Sequence, residues 1–404
     1  MSSLIVRPRY LDLLTRDIDR DTVRILTGVR RAGKSSVLRL YRDHLLASGV
    51  SESEIITVNF EDMRNRHLRD AQTFHEYVVK AYDDGAKFLH VDEIQELDTW
   101  AQVINSLRVA TDLEICVTGS NASMFSDEAA TYIAGRYVTI EVWPLSLAEF
   151  RTFKGLDDEP VDESYSAWIT AGGFPRVVLT QDGDLHAGMV RDIFDSIFAR
   201  DIVLRGQIRD AAAFLRVARF VFASIGSPIN AHKIHTRLKA NGIKLSAPTV
   251  ENYLRLMEQA NLIFPVRRQD TRGGQWLQGG AKYYGVDLSL RDALLGTGSA
   301  GEGHDLENQI YIELRRRGYR VVVGTNGGKE IDFVAAGEGR THFIQVAFSA
   351  MDEGTRAREL AAFDGLAAGA SCILITLDRI FYSTGHVRRI NGADFLAGLV
   401  DLPH

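Results

Sequence analysis

Four side chains carry the chemistry most easily read in this sequence: Lys34, Ser35, Asp92 and Glu93. Lys34 and Ser35 close the run Gly28-Val29-Arg30-Arg31-Ala32-Gly33-Lys34-Ser35-Ser36, a Gly-x-x-x-x-Gly-Lys-Ser pattern. Its glycines let the backbone curl so that successive N–H groups face a phosphate, and the positive end of the following helix adds to them. Lys34 is placed to reach terminal phosphates, and the Ser35 hydroxyl to ligate Mg²⁺. The bare pattern arises by chance in about one chain in a hundred of this length. Here its flanks are also right: the apolar run Val23 to Leu26 precedes it, and a helical pattern follows from Ser36.

Asp92-Glu93 ends a second apolar run, Lys87-Phe88-Leu89-His90-Val91. An aspartate there can hold Mg²⁺, directly or through water, and the adjacent glutamate can take a proton from an attacking water. Alone, an acidic pair after a strand is an ordinary solvated loop. Downstream of a phosphate loop it becomes the second half of the same site.

The elements that must position these groups follow a βαβ rhythm. A helix is expected over Pro8 to Asp19. β-rich runs lie at Val23–Leu26, Ile55–Phe60, Phe88–Val91, Glu114–Thr118 and Tyr137–Val142, with helical segments between, including Asp70–Asp83 and Trp100–Ala110. Such alternation predicts a mainly parallel sheet that binds ligands at the carboxyl ends of its strands. Gly28, Asp92 and Ser120 fall at those ends. Asn121, in Gly119-Ser120-Asn121, reads either as a sensor of the terminal phosphate or attacking water, or as a turn-forming residue.

Four stretches together resemble one family: Gly28–Ser36, Leu89–Gln95, Val117–Ala122, and Ala134–Tyr137 followed by Pro144-Leu145-Ser146. It is the prokaryotic family of AAA-type ATPases with an associated C-terminal domain of unknown function, and the resemblance covers nearly the whole chain. It implies ATP and Mg²⁺ as cofactors and Glu93 as catalytic glutamate. It also implies a sensor at Ser120 or Asn121, and a functional arginine at Arg136. Arg136 would contact the terminal phosphate in cis or reach a neighbouring subunit; a surface salt bridge is the alternative.

Composition sets the outer bounds. The 404 residues predict two or three domains, and 45% apolar with 25% charged residues describe an ordinary globular protein. The net charge of -6 argues against wholesale electrostatic binding of nucleic acid but permits a local basic patch. Two cysteines, Cys116 and Cys372, supply neither a disulfide framework nor a zinc cluster. No stretch reads as a leader or a bilayer span, so no membrane contact and a cytoplasmic location are expected.

Three domains are expected: an AAA-like ATPase core over 1–155, a helical linker and winged helix over 156–290, and an α/β domain over 291–404. Gly172-Gly173-Phe174-Pro175 and Arg200-Asp201 mark the linker, and the apolar residues of its amphipathic helix read as core. Helices starting near Ala211, Ser227 and Ser246, then a ribbon from Asn261 to Tyr284, are similar to a winged helix. Lys233, Arg237, Lys239, Lys244, Arg255, Arg267, Arg268, Arg272 and Lys282 make this region locally basic, which allows contact with a DNA backbone. The alternative is a lid or a protein dock.

The last region resembles the restriction-endonuclease-like fold. By that resemblance Glu307 and Asp332 match the acids of an active site. Gln345 replaces the next acid and Ala347 the lysine, while Lys329 lies on the wrong strand to substitute. A neutral amide holds Mg²⁺ poorly, so a retired nuclease fold that docks a partner protein is expected. The sequence thus predicts a Mg²⁺-dependent ATPase whose nucleotide state rearranges its C-terminal domains. The alternatives are a DNA-binding ATPase and an ATP-gated protein platform. Oligomeric state stays open.

Overall fold

The computed structural model describes residues 4–120, 132–133, 135–204, 206, 208, 210–271, 273–277, 280–296, 302–337, 339–380 and 382–403. The chain divides into two compact units, Met1–Pro144 with Gln259–Asn261, and Leu145–Glu258 with Leu262–His404. The first break thus falls at Pro144, ahead of the expected position near 155.

The first unit is built on five parallel strands: β1 (Val23–Thr27), β2 (Ile55–Asn59), β3 (Phe88–Asp92), β4 (Glu114–Thr118) and β5 (Tyr137–Glu141). Their order is β2-β3-β4-β1-β5, and every pairing is parallel. All five residues of β1 are buried, as expected of a strand covered on both faces. Val23, Ile25, Val58, Leu89, Val91, Ile115 and Val117 share one core with Phe74 and Val78 of helix α3 (Ala71–Asp83) and with Ile104 and Leu107 of α4 (Trp100–Ala110). Helix α1 is shorter than expected, Pro8–Leu14, because Thr15-Arg16-Asp17 is exposed and offers nothing apolar to bury. Helix α2 (Lys34–Ala47) begins inside the glycine loop itself.

This order places β4 between β3 and β1. The carboxyl ends of the three strands therefore lie side by side, and β1 has later strands on both sides, which is where open α/β sheets bind ligands.

The second unit opens with helices Leu147–Lys154, Val161–Ala171 and His186–Ile197. Helices Ala211–Ala223, Ala231–Ala240 and Ala247–Gln259 follow, together with an antiparallel three-stranded sheet. That sheet has the order β6 (Pro228–Ile229), β9 (Ala281–Gly285), β7 (Ile263–Val266). A six-stranded mixed sheet completes the unit: β14 (Arg388–Asn391), β13 (Ser371–Thr376), β12 (Arg340–Val346), β11 (Lys329–Gly337), β10 (Arg320–Asn326), β8 (Arg268–Asp270). The expected ribbon thus gives up its middle. β8 leaves β7 and β9 and pairs parallel with β10, Val323 opposite Arg268 and Thr325 opposite Asp270. Among the described residues no helix is long and apolar enough to cross a membrane.

Candidate functional site

The glycine loop leaves β1 through residues that only certain backbones tolerate. Gly28 has φ 137°, and a Cβ there would lie 2.2 Å from the carbonyl oxygen of Val142, so both conformation and space require glycine. Gly33 has φ 102°, and Arg31 takes a left-handed φ of 71° without being glycine. Non-glycine residues held this way cost about 1–3 kcal/mol and gather at functional sites. Lys34, at the first position of α2, is buried, and its Nζ donates to Gly28 O at 2.9 Å and Val29 O at 3.1 Å.

Ser35, the next residue, meets the aspartate from β3. Its Oγ donates to Asp92 Oδ1 at 3.0 Å. The same Oδ1 accepts from Thr118 Oγ1 at 2.6 Å, and Oδ2 accepts from Asn59 Nδ2 at 3.1 Å. Asp92 therefore faces hydroxyls and an amide from the ends of β4 and β2. Those donors orient its two oxygens. A serine hydroxyl and a carboxylate oxygen this close are the hard ligands Mg²⁺ takes when phosphates supply the rest. With the tight cradle at Gly28, the residues present fit a Mg²⁺-nucleoside triphosphate.

Glu93 turns out of β3 with φ 58° and ψ 53° and is 7% exposed. Its backbone N–H donates to Thr118 Oγ1 at 3.0 Å, and Gln95 Nε2 donates to its carboxylate. Burial raises its pKa above the ordinary glutamate value, while Lys34 and Arg30 pull it back. Raised basicity of this kind suits a carboxylate that accepts a proton. Arg30, from the loop, is ion-paired with Glu61 at 3.4 Å.

The other sequence candidates fare differently. Ser120 is fully buried just past β4, and Asn121 lies outside the described residues. Arg136 precedes β5, where its carbonyl accepts from Val23 N at the amino end of β1. Its guanidinium pairs with Asp21 at 2.9 Å and is more than half exposed. The phosphate loop leaves the other, carboxyl end of β1, so Arg136 is not brought to it. Thr118 and Asn59 were not among the expected site residues; each is the polar last residue of a largely apolar strand, the same signal that exposed Asp92.

In the second unit Glu307, Asp332 and Gln345 do converge. Gln345 Oε1 accepts from Asp332 N at 2.8 Å, and its Nε2 donates to Glu359 at 2.7 Å. A lysine is also present, from an unexpected strand. Lys282 of β9 was expected on a basic surface, yet its side chain is 4% exposed. Its Nζ lies 2.8 Å from both Glu307 Oε1 and Glu330 Oε1 and 3.6 Å from Asp332 Oδ1. Tyr284 OH also donates to Glu307, at 2.6 Å. Burial pushes Asp332 up to about 8, helped by the Glu307 charge. Burial works against ionisation of Glu307 too, but His304 and Lys282 hold it below the usual range. Lys329 is spent elsewhere, half exposed on Asp364 at 3.1 Å and on Ala361 O. Among the described residues no group of three or more His, Cys, Asp or Glu side chains is placed to hold a metal ion. Arg268, another expected surface cation, lies 3.7 Å from Glu330, and Arg272 is outside the described residues.

Comparison with known proteins matches residues 20–151 to a family profile described as an AAA domain. A second profile, described as a domain of unknown function (DUF8612), matches residues 162–301. An uncharacterized protein of Haemophilus influenzae is 37% identical over 350 residues, covering 86% of this chain and 87% of its own length. Uncharacterized protein MJ1544 of Methanocaldococcus jannaschii is 28% identical over 373 residues, 87% of this chain and 81% of its own. Among solved structures, the Walker-type ATPase of Pyrococcus abyssi covers 71% of this chain and 93% of its own, at 16% identity and a TM-score of 0.49.

Proposed function

The chain belongs to the family of AAA-type P-loop ATPases with a separate C-terminal domain of unknown function, and on that premise we propose that it binds and hydrolyses ATP with Mg²⁺. The observation that carries this is the 3.0 Å bond between Ser35 Oγ, on the phosphate loop, and Asp92 Oδ1, at the end of β3. It joins the two halves of a hydrolytic site through the pair that would hold the metal.

In this reading the loop from Gly28 to Ser36 cradles the phosphates through its backbone N–H groups. Lys34 exchanges the carbonyls of Gly28 and Val29 for β- and γ-phosphate oxygens. Ser35 and, directly or through water, Asp92 would hold Mg²⁺, which would supply charge neutralisation for the transferred phosphoryl group. Glu93 orients the attacking water and takes its proton. Thr118 fixes both partners of that step, through Asp92 Oδ1 and the Glu93 N–H. Asn121 is the sensor candidate, and Arg136, at the other end of β1 from the loop, is either a finger toward a neighbouring subunit or a surface salt bridge with Asp21.

Turnover is proposed to change how the second unit is held. Helices 211–223, 231–240 and 247–259 with sheet β6-β9-β7 are read as a winged helix, since one strand follows the first helix and two follow the third. The region after it is read as a nuclease-like fold whose acids are neutralised by Lys282, and which docks a protein partner. A cytoplasmic location fits two buried, free cysteines.

The test is a pair of variants. Lys34→Ala should abolish ATP binding, measured with a fluorescent analogue. Glu93→Gln should bind as the parent does and lose about 10²–10⁴-fold in turnover. Parent-rate hydrolysis by Glu93→Gln would remove Glu93 from the mechanism.

A further inference from the structure

Charge in the second unit is distributed very unevenly. Residues 211–250 contain no aspartate or glutamate, where the chain's average usage would place about five. The same forty residues hold six cations, Arg216, Arg219, Lys233, Arg237, Lys239 and Lys244, and all six are exposed. Several surface cations elsewhere have acids beside them, as Arg42 has Glu52, Lys87 has Glu54 and Arg379 has both Asp162 and Asp394. In this run none makes an ion pair among the described residues, and Lys233 donates only to the carbonyl of Pro228, at 3.1 Å.

Helix 231–240 concentrates the effect. Ala231, Ile234 and Leu238 form its buried stripe. At 3.6 residues per turn, Lys233, Arg237 and Lys239 share the opposite arc of about 160° with His232 and Thr236 between them. That face offers cations and a hydroxyl, which is what phosphate oxygens require. Apart from the His232 imidazole, turned toward His235 with ring centroids 6.4 Å apart, it exposes no ring and no large apolar side chain. A protein partner would need such an anchor, and single strands would need a stacking platform. The helix is about 15 Å long, enough for the phosphates flanking one groove but short of the two successive minor grooves that double-stranded RNA binders span. The next helix, 247–259, exposes Pro248, Glu251 and Arg255. Arg255 donates to Asn252 Oδ1 at 2.6 Å, and Glu251 would repel a phosphate backbone. This helix is therefore poorly made for reading bases.

We propose that the solvent face of helix 231–240, with Lys244 beyond it, docks the phosphate backbone of duplex DNA without regard to base sequence. The surface is independent of the ATP site, so binding is measured on the full chain without nucleotide. Fluorescence anisotropy with two unrelated duplexes of about 30 base pairs, at about 50 mM salt, should give equal affinities. The logarithm of affinity should fall with that of salt at a slope of about −3 to −4, near −0.9 per phosphate contacted. The triple variant Lys233→Ser, Arg237→Ser, Lys239→Ser should bind at least about tenfold more weakly, with a slope shallower by about 2–3. Its thermal midpoint and nucleotide affinity should match the parent's, while Arg255→Ser should leave DNA affinity within about twofold. The proposal is overturned if the parent does not bind the duplex, or if the triple variant binds as tightly. Tighter binding of single strands, an RNA duplex or polyglutamate would overturn it as well.

Discussion

Two lysines lie buried beside carboxylates in this chain, and their bonding differs. Lys34 donates to two carbonyls of its own loop, and the neighbouring Asp92 is held by Ser35, Thr118 and Asn59. Lys282 is clamped directly between Glu307 and Glu330, with Asp332 a little farther away. A lysine bonded to loop carbonyls can exchange them for phosphate oxygens at little cost. A lysine neutralising buried acids cannot leave without exposing their repulsion in a low-dielectric surrounding. The first arrangement is suited to turnover and the second to holding elements together, although both bury a lysine near carboxylates.

The widest separation between the two is expected on removing each ammonium. Lys34→Ala should lose nucleotide binding while its urea unfolding stays close to the parent's. Lys282→Met should behave oppositely. It leaves the buried Glu307 without its ammonium and Glu330 with only the more distant Arg268, and should cost about 3–5 kcal/mol of stability, with nucleotide affinity unchanged. If Lys282→Met unfolds like the parent, the clamp is not structural, and the comparison fails at its second member.

A smaller effect tests how the first site is tuned. Thr118→Val keeps shape but removes the hydroxyl that donates to Asp92 and accepts from the Glu93 N–H. One buried N–H then lacks its acceptor, at a cost of about 1–3 kcal/mol. Turnover should fall about tenfold, with ATP affinity within about twofold of the parent's. Equal losses in binding and turnover would mean that Thr118 supports the loop rather than the catalytic pair.

What could be read in advance follows from the range of each signal. The glycine loop, Asp92 and Glu93 are announced by neighbours in sequence: apolar strand, polar end, helix. The five parallel strands came from the same local alternation. Thr118 and Asn59 matter only because β4 and β2 both neighbour β3, and strand order is not written in any one strand. Lys282 reads as a surface cation because local pattern cannot show a second sheet closing over it. β8 was read as part of the ribbon for the same reason, since its partner β10 lies some fifty residues farther on. The placement of Arg136 was legible after all. It precedes its strand, and sheets of this kind keep their ligands at the opposite ends.

The finest test concerns the charge inside the second cluster. Lys282 lies nearer Glu307 and Glu330 than Asp332, and burial with the Glu307 charge pushes the Asp332 carboxyl up to about 8. An acid whose pKa is raised on folding binds its proton more tightly in the native state. The native state then loses stability as pH rises from the unfolded value toward the folded one, and no further above it. Asp332→Asn mimics the neutral acid and keeps an oxygen for the Val346 N–H, which Asp332 Oδ2 accepts at 2.9 Å. The variant should match the parent near pH 4, around the unfolded carboxyl's own value. It should then gain on the parent by up to about 1.4 kcal/mol for each pH unit between there and pH 8, a few kcal/mol in all. Urea unfolding at the two pH values reads the difference. A variant that loses ground as pH rises would mean that Asp332 is ionised and paired in the native state, which would make the cluster three charged acids around one lysine.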